Sequence, residues 1–367
     1  MHWRAGTVER MIRSWSGAAE YAVTLDSGET SVRALAYTDV SGALSEGARV
    51  LLNVSALQRG LGTGGVALVV ARTDELPADP PPAPGHIVKA RYTPTQQMLL
   101  AIDEQESPDH SVFATEAAAA GDLGGMPVIA ADLHSALPAI LAGVRAVRPD
   151  ARVVYVMTDG GALAAAFSRT LAGLRDAGWL AASITAGQAY GGDHEAVTVH
   201  SALLAARHVL NAELVIVSQG PGNAGTGTPY GFSGVDAGAA LNAVHSLRGR
   251  GIGALRISAA DARERHFGVS HHSLTAYGRL VLGAATIVVP RLPGEFGALV
   301  QRQVEELVDG AAGRLTLASE AIDGLRGVLR ESPVALSTMG RGLGADSEYF
   351  LAQAAAGRYA ARLLIGN

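Results

Sequence analysis

Four residues able to ligate a cation or move a proton fall just after apolar, strand-like runs. Asp132 and His134 follow PVIAA, Asp159 follows VVYVMT, and His194 follows ITAG within GQAYGGDHE. Gln188, Asp193 and Glu195 share that last segment, and Gln219 closes ELVIVSQ. In a parallel sheet the strand C-terminal ends share one rim, the usual ligand crevice of open α/β folds. Asp132, His134, Asp159 and His194 are therefore the candidate catalytic set, gathered around one crevice. Zinc-like ligation of a divalent metal by these four is one chemistry open to them. A polar small-molecule site without metal is the second. Plain helix capping by Asp132 or Asp159 is the third, since a carboxylate satisfies orphan N–H groups at a helix start.

Two glycine loops invite comparison with phosphate-binding motifs. Gly60 to Gly65 reads GLGTGG but precedes the strand VALVV, so no helix N-terminus follows it, and a barrel turn is the expectation. Gly220 to Gly234 directly follows ELVIVSQ and carries no charged residue. Its N–H groups and hydroxyls can cradle an anion or polar ligand. Gly220, Gly222, Asn223, Gly225, Thr226, Gly227 and Thr228 are the candidate binding residues, and Gly222 to Gly227 are expected to wall the crevice. The chain has no GxxxxGK, and no acidic residue stands about 20 positions on to hold a ribose, which disfavours standard nucleotide sites.

Other polar residues read as structural. His200 shares a helical face with Val197 and Leu204 and is expected in the core. His208 is expected as a favourable charge at a helix C-terminus. His271 and His272 are adjacent, and a regular element points neighbours apart. Lys89 alternates with Ile87 and Arg91 on one strand face, and an exposed strand edge is its expected place. HEAVTVH is not HExxH, and no serine lies in GxSxG.

The elements that must position these residues change character along the chain. Residues 1–76 hold period-2 runs such as YAVTL and ALVV, too few strands for an open sheet, so a small barrel is expected. Prolines crowd residues 77–85 and break regular structure. Residues 86–367 alternate buried-type strands with helical stripes. Leu137, Ile140, Leu141 and Val144 form one stripe; Leu163, Phe167, Leu171 and Leu174 form another. A helix is expected through HEAVTVHSALLAARHVL and another from about Ser233. The fold class is α/β: a three-layer, mostly parallel sheet with helices on both faces, preceded by a small β-barrel-like domain.

Composition narrows the function classes. Of 367 residues 48% are hydrophobic and 17% charged, enough for a large core. The net charge of −5 gives no general pull toward nucleic acid or an anionic membrane. The absence of cysteine excludes disulfides, thiolate nucleophiles and cysteine-ligated zinc. Neither a signal-peptide stretch nor a membrane-span pattern is found, so a cytoplasmic protein is expected.

The phrases GLGTGG, GHIVKARYT, VMTDGGALAAAFS, ITAGQAYGGDHEAVTVHSALLAARH and SQGPGNAGTGTPYGFSGV together resemble the DUF3866 family. The resemblance spans nearly the whole chain and implies a bacterial cytoplasmic protein, without any catalytic assignment. The functional expectation is an enzyme, with hydrolysis of a small polar or anionic substrate the least demanding chemistry. A metabolite- or nucleotide-binding protein and an oligomeric scaffold are the alternatives.

Overall fold

The structure, a computed structural model, describes residues 1–28, 31–61 and 64–365. The chain divides into two compact units: Met1–Ala83 with Thr93–Thr95 and Ala166–Ala172, and the remaining residues.

The first unit is built on β1 (Trp3–Trp15), β2 (Ala18–Leu25), β3 (Ser31–Tyr37), β4 (Arg49–Asn53) and β5 (Ala67–Arg72). Two single-turn helices, α1 (Thr38–Ser41) and α2 (Ser55–Gln58), interrupt them. The strands close in the order β1-β2-β3-β5-β4, with β1 antiparallel to both β2 and β4 and β3 parallel to β5. The expected alternation puts Tyr21 and Val23 inside, with Val8, Val50 and Leu52. Of the Gly60–Gly65 loop, Gly62 and Thr63 lie outside the described residues, and the rest leads into β5 as a barrel turn. Residues 77–85 hold neither helix nor strand.

The second unit begins with the hairpin β6 (Ile87–Lys89) and β7 (Gln97–Leu99), followed by the short α3 (Glu116–Ala119). Then come β8 (Pro127–Ala130), α4 (Leu137–Arg145), β9 (Val153–Thr158), α5 (Arg169–Asp176, its residues through Ala172 counted with the first unit), β10 (Ala182–Ala186), β11 (His194–Ala196) and α6 (Val199–His208). β12 (Leu214–Gln219), α7 (Asp236–Ser246) and β13 (Arg250–Ala254) follow, then a small hairpin of β14 (Ile257–Ser258) and β15 (Gly268–Val269). The chain continues through α8 (His271–Gly278), β16 (Ala285–Pro290), α9 (Gly294–Asp309), β17 (Leu315–Glu320) and α10 (Leu325–Arg330). A last hairpin, β18 (Ser337–Thr338) and β19 (Arg341–Gly342), precedes α11 (Ser347–Arg362).

Eight of these strands form one parallel sheet in the order β11-β10-β9-β12-β8-β13-β16-β17. β8, β9 and β12 are buried at every residue, as strands covered on both faces must be. From β8 the chain steps past β12 to β9; from β12 it steps past β8 to β13. Right-handed crossovers in opposite directions place helices on opposite faces. Helices α4, α10 and α11 pack together as one layer, and α6, α7, α8 and α9 make the other. The adjacent C-terminal ends of β12 and β8 are thus the topological switch point, where open α/β sheets leave a crevice.

Two local expectations are corrected. Of the stripe from Leu163 to Leu174, only Arg169–Asp176 is α-helical, because Ala165–Phe167 forms a 3-10 turn. The helix expected through HEAVTVH starts at Val199, where Thr198 caps it in a reciprocal pair with Ser201; His194–Ala196 is the edge strand β11.

Candidate functional site

Asp132 lies at the switch point, two residues beyond β8, with 2% of its surface exposed. Its carbonyl accepts a hydrogen bond from Gln219 Nε2 at 2.9 Å. Gln219 Nε2 also donates to Asn223 Oδ1, which takes further bonds from Ser233 Oγ and the Gly234 N–H. Asn223 is therefore the post that ties the glycine loop to the end of β12. Gly234 fits because its backbone presses on Asp132, where a Cβ would meet the Asp132 carbonyl oxygen at 2.8 Å.

A cavity at this point is lined by Asp132, Thr158, Gln219, Gly234 and Asp236, among others, and has space for about one water. Three side-chain atoms of its lining residues are buried without a hydrogen-bond partner: Asp132 Oδ2, Thr158 Oγ1 and Gln219 Oε1. Buried polar atoms without partners are uncommon and mark an unfilled role. Asp236 opens α7 with its carboxyl pushed upward, first by burial and then by the charge of Asp159. Asp159 accepts the Gln188 N–H at 2.8 Å, so it joins the loops after β9 and β10 and does not cap a helix. Asp132 caps none either: the 3-10 turn His134–Ala136 and α4 carry no side-chain cap.

The structure removes His194 from the other three residues expected to act with it, while Asp132, His134 and Asp159 stay near the ends of β8 and β9. His134 Nδ1 lies 2.9 Å from the Tyr155 hydroxyl, within the buried interior. His194 opens β11, four strand spacings from β8, which is roughly 19 Å at about 4.8 Å each. The composite site of His134, Asp159 and His194 is thus not formed. The cause is local: after β10 the chain doubles back, pinned by Asp193 on the Ser183 N–H, and starts β11 opposite Ile184. Of the glycine loop, Gly220 is buried, while Gly222, Gly225, Thr226, Gly227 and Thr228 are exposed. The loop folds on itself through the Thr226 N–H to the Gly231 carbonyl at 2.7 Å.

Burial pushes His134 down to about 4. The unfolded chain protonates this ring near 6.5, so stability is intact above that pH and drains away as pH falls toward 4. Up to about 3 kcal/mol is lost across that window. Urea midpoints of wild type and His134→Gln at pH 7 and 4.5 check this. The pH-dependent difference is expected to shrink by about 2 kcal/mol in the variant, and an equal loss in both proteins contradicts it.

Beyond β13, on the other side of Asp132, lies a cluster that spacing alone misses. Asp132 Oδ2 is 3.9 Å from Arg256 Nη1 and 3.7 Å from His272 Nδ1. Ligating atoms of His266, His271 and His272 lie within 4.8 Å of one another, the one such group among the described residues. Phe232, at the end of the glycine loop, stacks on His272 with centroids 3.8 Å apart. His271 and His272 converge, contrary to expectation, because they form the first turn of α8, where Ser270 caps the His272 N–H and the preceding loop closes over them. Burial chiefly lowers His266 to about 3 and His271 to about 4, with the neighbouring His272 acting in the same direction. The legible signal was that GALRIS, like the other buried runs, ends on this rim, and FGVSHHS follows it after residues 259–266.

Other side chains also differ from expectation. His200 is exposed, not core. His208, by contrast, stands in the last turn of α6 as expected, where its Nε2 also donates to the Asp122 carbonyl at 2.8 Å. Lys89 is not on an exposed edge but 1% exposed, bonded to Glu195.

An eight-stranded parallel sheet with polar groups at its switch point defines an open, doubly wound α/β protein. The family model described as a protein of unknown function, DUF3866, matches residues 33–357, and the chain belongs to that family. No curated protein and no solved structure matches the chain.

Proposed function

We propose that the chain is a hydrolase for a small polar or anionic substrate, working at the rim formed by the ends of β9, β12, β8 and β13. The observation that carries this reading is the Asp132 carboxylate, buried with one oxygen lacking a hydrogen bond, beside a water-sized cavity on one side and imidazoles on the other. Asp132 is the base that takes a proton from an attacking water. Gln219 and Asp236 help to hold that water. Exposed N–H groups of the loop from Gly222 to Thr228 hold substrate oxygens, Asn223 ties that loop to the end of β12, and Asp159 ties the loops after β9 and β10 through the Gln188 N–H. A cytoplasmic setting belongs to this reading, in keeping with the finding that no described helix is long and apolar enough to cross a membrane.

The test is a panel of phosphoester, carboxylic ester and amide substrates, each with and without divalent cations. Asp132→Asn is expected to lower kcat/KM by about 100-fold or more while the melting temperature stays close to wild type. Turnover of no substrate class, or full activity in the variant, sinks the reading. A metabolite-binding protein is the second reading, favoured because Asp159 and His134 are already engaged in protein contacts. Thermal shift by nucleotides, sugar phosphates or carboxylates, without turnover, distinguishes it.

A further inference from the structure

The loop between β14 and β15 brings His266 against the first turn of α8. Ring centroids are 4.9 Å apart for His266 with His271 and with His272, and 4.4 Å for His271 with His272. We propose that His266, His271 and His272 bind one divalent transition-metal ion of the zinc class, with Asp132 positioning the His272 ring. This site stands or falls separately from the hydrolytic reading, because its test reads metal binding.

The nitrogens needed are available. His271 Nε2 is buried without a hydrogen-bond partner. His266 Nδ1 lies 2.7 Å from Ser270 Oγ, so a proton on Nδ1 leaves Nε2 as the ligating atom. Nδ1 of His272 accepts from Arg256 Nη1 at 3.3 Å, with Asp132 Oδ2 3.7 Å away, so ligation through Nε2 moves the ring proton to Nδ1, where Asp132 is the acceptor at hand. Metal-bound imidazoles usually turn their far nitrogen to a carboxylate, and Asp132 supplies one with an oxygen otherwise unsatisfied. A tetrahedral zinc site separates its nitrogens by about 3.3 Å, given bonds of 2.0–2.1 Å. The present spread is up to 4.8 Å, so binding a metal draws the three rings closer together.

Charge decides between a cation and an anion here. Arg256 faces Asp132 and Asp261, Arg263 pairs with Asp261, and Arg341 pairs with Asp261 and Asp346. Arg265 and Glu264 share the turn that carries His266. Arg256, Arg263 and Arg341 are thus matched by carboxylates. The Asp132 carboxylate, turned toward the rings, repels an anion and favours a cation. Three imidazoles select zinc-like ions over magnesium or calcium and leave a fourth position for water or substrate.

The experiment uses tag-free, full-length protein stripped with a chelator, titrated with Zn²⁺ by calorimetry and with Co²⁺ by visible absorption. One equivalent per chain is expected. His266→Ala and His271→Ala each abolish it, and His271, half-buried, is the variant expected to keep its near-UV circular dichroism. Asp132→Asn weakens binding about 10- to 100-fold without changing the stoichiometry, and His194→Ala leaves it unchanged. No saturable binding by folded wild type, or one-equivalent binding that survives both alanine variants, overturns the proposal. Saturable binding of inorganic phosphate without metal, lost in the same variants, overturns it as well.

Discussion

Lys89→Met is expected to cost the α/β unit about 3–5 kcal/mol, the range for removing one partner of a buried ion pair. Nζ donates to the Thr185 carbonyl, the Ala189 carbonyl and Glu195 Oε2, each at 2.8 Å. All three ammonium donors are thereby used. Burial lowers the affinity of Lys89 for its proton, and the charge of Glu195 works against that shift. Glu195 also takes the Thr185 hydroxyl and the Gly191 N–H, so the pair fixes the bend that carries the chain from β10 into β11. Methionine fills the space but leaves a buried carboxylate and two carbonyls without their donor. Combining it with Glu195→Gln removes the unpaired charge, so the double variant should lose clearly less than the sum of the single losses. Urea unfolding of all four proteins measures this. A loss below about 1 kcal/mol for Lys89→Met shows that the pair is not a structural tie.

Gly143→Ala should be comparably severe, at about 3 kcal/mol or more. A Cβ at Gly143 in α4 would stand 1.9 Å from the Ala354 carbonyl oxygen of α11. Reciprocally, a Cβ at Gly357 in α11 would stand 2.0 Å from the Ile140 carbonyl oxygen. The helices touch backbone to backbone, so one methyl forces them apart along a buried contact. Alanine normally favours a helix interior by up to about 1 kcal/mol over glycine, which is too little to compensate. Gly327, in α10, has nothing within 4 Å of its added Cβ, and Gly327→Ala is expected to raise the melting temperature slightly. If Gly143→Ala melts with wild type, the two helices can separate at little cost.

The parts of the fold legible in sequence were those carried by local pattern. VVYVMT and LVIVSQ read as doubly covered parallel strands, and residues 21–25 read as one wall of a barrel. Asp132 and Gln219 were recognisable as rim residues for the same reason. Strand order was not legible, because periodicity says which residues are buried and not which strands are neighbours. It put Gln219 beside Asp132 and His194 on the far edge. His266, His271 and His272 escaped because their convergence depends on a loop closing over a helix start. Lys89 escaped because its partner lies 106 residues away. An isolated lysine in a strand reads as surface until such a partner is known.

The place of β12 has a consequence for biosynthesis. β8 and β9, joined through α4, emerge first and are the natural partners of a right-handed βαβ unit. In the finished sheet they never pair, since β12 lies between them. The ribosome must add the whole stretch to Gln219 before that strand exists, several seconds at about 5–20 residues per second. Throughout that interval two fully buried-type strands offer open edges to each other. A nascent chain that lets them zip together has to unzip before β12 can enter. Premature pairing of β8 with β9 is therefore a kinetic trap on the way to the finished sheet.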